Sequence, residues 1–77
     1  MNHMHMPMSN LDMMMWLRGK MDECEVEIKY LEELLVTTSG PAESILNSLN
    51  ANKSMYEDFQ TEYNRYVKLE EEKRKNG

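Results

Sequence analysis

The chain has 77 residues, a formal net charge of −5 and a single cysteine. That length holds one small domain whose core needs help from a staple, a metal or a partner, and one cysteine excludes an intrachain disulfide. The acidic balance excludes a free-standing nucleic-acid binder, and no apolar run approaches the ~20 residues of a membrane span.

Residues 1–8, Met-Asn-His-Met-His-Met-Pro-Met, show neither helical nor strand periodicity and are expected to be a flexible N-terminus. They lack the basic region and apolar core of a secretion signal. With a lone thiol at an apolar position, this suits a soluble protein of a reducing cytoplasm. Met-Asn-His resembles the amino-terminal copper and nickel motif, in which the third-residue histidine joins the free amine. The methionines around His5 would add soft donors for Cu(I). His3 and His5 are thus the candidate metal ligands. The motif requires Met1 to be an unblocked terminus, and the reading of the chain is that it has neither a metal site nor a cofactor.

The helical hairpin is expected over residues 9–75. Ser9 opens a capping-box-like Ser-Asn-Leu-Asp, and the first helix is predicted from about Asn10 to Thr37. Alternate steps of three and four residues pick out Met14, Leu17, Met21, Cys24, Ile28, Leu31 and Leu35, seven core heptad positions without a charge. A stripe that narrow faces another helix. Gly19 lies away from it and costs about 1 kcal/mol relative to alanine.

Thr37-Thr38-Ser39-Gly40-Pro41 reads as the turn. Gly40 suits a left-handed position and Pro41 a first helical one. So short a link makes the helices antiparallel neighbours. The second helix is predicted from about residue 41 to 75, with residues 76–77 frayed. Its core set is Ala42, Ile45, Leu49, Asn52, Tyr56, Phe59, Tyr63 and Tyr66. A Ser- and Asn-rich stretch from Ser44 to Ser54 predicts a kink or break near residues 50–52. The fold class is therefore all-α, an antiparallel helical hairpin with a coiled-coil seam.

Folding about Ser39 gathers Met13 to Leu17 with Tyr63, Tyr66, Val67 and Leu69 at the open end, too many apolar groups for one two-helix seam. A homodimer forming a four-helix bundle is the expected outcome, with Asn52 as a polar layer that sets the register. The alternative is pairing with a different chain.

Cys24 is the one candidate nucleophile, but a catalytic thiol wants a base and both histidines lie in the first five residues. As a seam residue it reads as an apolar filler. No carboxylate pair has a cleft around it, and phosphate loops and Cys/His metal spacings are absent. No enzymatic activity is expected.

Charge points to a different role. From Asp22 to Glu62, ten acidic residues face only Lys29 and Lys53, a net −8 for the segment. The carboxylates offered to a partner are Asp22, Glu23, Glu25, Glu27, Glu32, Glu33, Glu57, Asp58 and Glu62. A rod of helices about 20 Å across, lined with acids, presents charge much as a nucleic-acid duplex does. In its size, acidic middle and Asn/Lys/Glu/Tyr-rich usage the chain resembles small phage host-takeover proteins, some of them DNA mimics or inhibitors of the replication sliding clamp. That resemblance rests on composition and architecture. It implies a phage-encoded protein working in the host cytoplasm, which occupies a basic, DNA-binding or replication-protein surface without touching nucleic acid or membrane. One alternative is a structural coiled-coil subunit of a larger assembly. Another comes from Ser54-Met-Tyr-Glu-Asp58, which resembles the Ser-x-x-x-Asp signature of the Spo0E-like aspartyl-phosphate phosphatases, themselves small helical hairpins. There Asp58 would be the functional carboxylate, although Glu57 stands where that family has leucine and the loop-to-motif distance is longer.

Overall fold

The computed structural model describes residues 8–76; His3 and His5 lie outside that range. Two helices, α1 (Asn10–Thr37) and α2 (Glu43–Asn76), form an antiparallel hairpin and pack against each other along the length of α1. Among the described residues there are no strands.

Ser9 starts α1. Its backbone is extended (φ −68°, ψ 165°), its Oγ accepts the Asp12 amide at 3.1 Å, and its carbonyl accepts the Met13 amide at 3.0 Å. The side chain thereby satisfies one of the unpaired N–H groups that every helix leaves at its start, the carbonyl takes the first regular helical bond, and Asp12 adds an acid where the helix dipole favours one.

The turn works differently from the glycine stop that the sequence suggests. No described residue has a positive φ, Gly40 included. Instead Thr38 leaves the helix in an extended conformation (φ −77°, ψ 133°) while its amide still reaches the Leu34 carbonyl at 2.9 Å. Thr37 assists, its hydroxyl donating to the carbonyls of Glu33 and Leu34. The β-branched pair ends the helix by leaving it, without a left-handed residue. At the far side α2 begins at Glu43, two residues later than expected from Pro41. Ala42 contributes its carbonyl to the Leu46 amide at 2.9 Å, so Pro41 only directs the entry.

α2 runs without a break through residues 50–52. Asn52, which could have unwound that stretch, bonds back to the Ser48 carbonyl at 2.9 Å. The adjacent Leu49 and Tyr56 hold both sides of the segment against α1. A polar side chain that would compete with helical hydrogen bonds here decorates one instead.

The buried core consists of Leu17, Met21, Cys24 and Leu31 of α1 and Leu49 of α2. Around them Met14, Ile28 and Leu35 are half-buried, as are Ala42 just before α2 and Ile45, Asn52, Tyr56, Phe59, Tyr63 and Tyr66 on it. No described side chain falls below 2 % exposure. Two helices alone can shield a stripe but cannot surround it.

The open end is closed by specific contacts. The Asn10 side-chain amide donates to Glu70 at 2.9 Å, and the Trp16 ring meets Phe59 edge-on, centroids 6.1 Å apart at 87°. Such an aromatic pair contributes about 0.5–1.5 kcal/mol beyond its buried area. Lys20 sits 5.5 Å from the Trp16 ring centre, adding a cation–π contact.

Candidate protein-interaction surface

The carboxylates divide into two groups. Asp22 stands 3.8 Å from Arg18, Glu23 3.5 Å from Lys20, and Glu62 2.9 Å from Arg65. These three were expected to lack nearby cations, and they have them, one helical turn away on the same helix. The Arg65–Glu62 contact is bidentate, through Nε and Nη2. It holds the Glu62 carboxyl below its ordinary pKa and raises that of the guanidinium. Exposed pairs of this kind contribute little to stability, but they blunt the charge offered to a partner.

Glu27, Glu32, Glu33, Glu57 and Asp58 are exposed and have no ion-pair partner among the described residues. Glu25 is a third case. It accepts a hydrogen bond from the Tyr56 hydroxyl at 3.2 Å, a polar contact between the middles of the helices. Partial burial and the neighbouring Glu25 charge both push the Tyr56 phenol above its ordinary pKa.

Cys24 is buried in the seam, and its thiol is pushed up first by burial, then by the charge of Glu23, with Lys20 opposing. A thiol kept protonated is a poor nucleophile. Asn52 is half-buried, but its amide is committed to Ser48, so within the hairpin it specifies nothing across the seam. Ser54 and Asp58, the phosphatase-like pair, are both exposed on α2. No cluster of three or more metal-binding side chains occurs among the described residues. No helix there is long and apolar enough to cross a membrane.

Apolar groups complete the surface. Leu11, Met15 and Trp16 of α1 and Leu69 of α2 are exposed at the open end, and Tyr30 of α1 and Leu46 and Met55 of α2 are exposed nearer the turn. Val26 and Val36, on the outer side of α1, continue the exposure toward the turn. These two valines escape a search for the seam because they fall outside its spacing. Their signal is a second row on the same helix, set off from the first.

No family model, curated protein or solved structure matches this chain. Its surface has to be read from its own chemistry.

Proposed function

We propose that this chain is a non-enzymatic protein–protein interaction module, a homodimeric hairpin of the cytoplasm that occupies a basic surface of a partner protein and inhibits it. The observation carrying this reading is the set of unpaired, exposed carboxylates: Glu27, Glu32, Glu33, Glu57 and Asp58. Like charges held on rigid helices repel each other until a basic surface meets them, and association driven this way is fast and salt-sensitive. The exposed apolar side chains support the dimer, since a hairpin that buries so few residues gains cover for them from a second copy. A basic channel that normally holds DNA is the complementary surface, in the manner of the acidic phage proteins the chain resembles.

A DNA-loaded sliding clamp is the first partner to test. The chain should displace duplex DNA at low ionic strength and lose its hold as salt rises. Neutralising Glu27, Glu57 and Asp58 together should abolish displacement. Failure to displace DNA from this or any other basic channel, or displacement that ignores both salt and the triple substitution, would sink the reading.

The exposed open end favours a second reading, a structural subunit that docks a larger assembly through Trp16 and its apolar neighbours. Under it, Trp16→Ala or Tyr63→Ala abolishes docking while the triple neutralisation leaves it unchanged.

A further inference from the structure

The outer side of α1, turned away from α2, carries the three most exposed large apolar side chains of the described chain: Met15 at 74 %, Val26 at 68 % and Val36 at 85 %. At about 100° per residue all three fall within an arc of about 80°. Arg18, Asp22, Lys29 and Glu33 fall in the same arc. Open grooves border the row on the side where α2 approaches, one running past Leu11, Met15, Gly19 and Tyr63 and another past Val26, Lys29 and Tyr56. Gly19 leaves open space where a Cβ would stand.

The charges along this face alternate in sign: Arg18 positive, Asp22 negative, Lys29 positive, Glu33 negative. Turned end for end about a point between Glu25 and Val26, the four charges of this row each meet the opposite sign. Arg18 then meets the partner's Glu33, Asp22 meets the partner's Lys29, and Met15 meets the partner's Val36. Val26 falls beside its own copy.

We propose that a second copy of this chain docks antiparallel along this face, α1 against α1, with a two-fold axis beside Val26. A two-fold interface must be complementary to itself, and this row is. A partner of one uniform charge would satisfy only half of it. The row from Met15 to Val36 spans about 30 Å of helix, room for several layers of side chains in a helix–helix contact. The charges are also available. Arg18 and Asp22 pair loosely, 3.8 Å apart with both side chains more than half exposed. Lys29 has no ion pair among the described residues, although Glu33 follows it by one helical turn.

This pairing rests on the self-association in the reading above and specifies its face, direction and register. It takes Glu33 from the carboxylates offered to the basic partner and leaves Glu27, Glu32, Glu57 and Asp58, which lie off this row. Light-scattering mass across a dilution series tests it. The wild type should show twice the 9.2 kDa of one chain. Val26→Lys puts two ammonium groups at the axis and should give the single-chain mass with helical circular dichroism unchanged. Arg18→Glu should raise the dissociation constant by about tenfold, and adding Glu33→Arg in the same chain should restore it. A monomeric wild type overturns the proposal. So does a dimer indifferent to Val26→Lys and Arg18→Glu, which places the contact at the open end instead. The triple neutralisation of Glu27, Glu57 and Asp58 should leave the mass unchanged, so loss of partner binding and loss of pairing are read separately.

Discussion

The amide of Asn10, the first residue of α1, donates to the carboxylate of Glu70 on α2 at 2.9 Å, joining groups sixty residues apart in sequence. Glu70 also lies 3.6 Å from Lys73. Its charge is thus shared between a contact that closes the hairpin and one that steadies the end of α2.

Replacing Asn10 with alanine should cost about 0.5–1.5 kcal/mol, the net worth of one hydrogen bond. Its clearest sign should be local. Amide exchange should accelerate in the first turn of α1 and around Glu70 while the Cys24 region keeps its protection.

Truncating a buried seam residue is a larger insult. Leu17→Ala or Leu31→Ala should cost about 2–5 kcal/mol. With so few buried side chains to share the loss, urea denaturation followed by circular dichroism should show a hairpin that is partly unfolded before denaturant is added. Val26→Ala, at an exposed position, should leave the urea midpoint of the single chain unchanged.

Trp16 and Phe59 should be coupled. A double-mutant cycle with alanine at each position should return about 0.5–1.5 kcal/mol of interaction energy, because the edge-on contact exists only when both rings are present. A coupling of zero would mean that the two rings contribute only separate burial.

Tyr56 makes the stability depend on alkaline pH. Its folded pKa is raised, so the protein holds this proton more tightly folded than unfolded. The resulting contribution is fully present below the unfolded value of about 10 and is lost as pH rises through the folded one. Thermal melts across that range should fall more steeply for wild type than for Tyr56→Phe. Glu62 works in the opposite sense. Its lowered pKa gives a contribution present above the ordinary carboxylate value and lost as acid protonates the folded group, and Glu62→Gln should flatten that limb.

The hairpin was legible in the sequence because a seam of alternating three- and four-residue steps leaves few other arrangements. Met14 through Leu35 carry that spacing on α1 and Ile45 through Tyr66 on α2. The turn was not legible, because Gly40 offers a left-handed stop that the chain does not use. Whether Thr38 or Gly40 ends the helix depends on where the chain must point to bring α2 alongside. The charge pattern was misread for a countable reason. Counting from Asp22 onward leaves out Arg18 and Lys20, one turn earlier, and these pair with Asp22 and Glu23. Arg65, just beyond Glu62, was lost in the same way.

The placement of the start of α1 and the finish of α2 together at the open end has a mechanical consequence. Force applied between Asn10 and Asn76 pulls across the seam rather than along it. It should open the Asn10–Glu70 bond first, then Trp16 from Phe59, then Tyr56 from Glu25, one layer at a time toward Thr38. A seam loaded in shear breaks all its layers together, whereas one that is peeled never has to yield more than one. The hairpin should therefore come apart gradually, at low force, under tension.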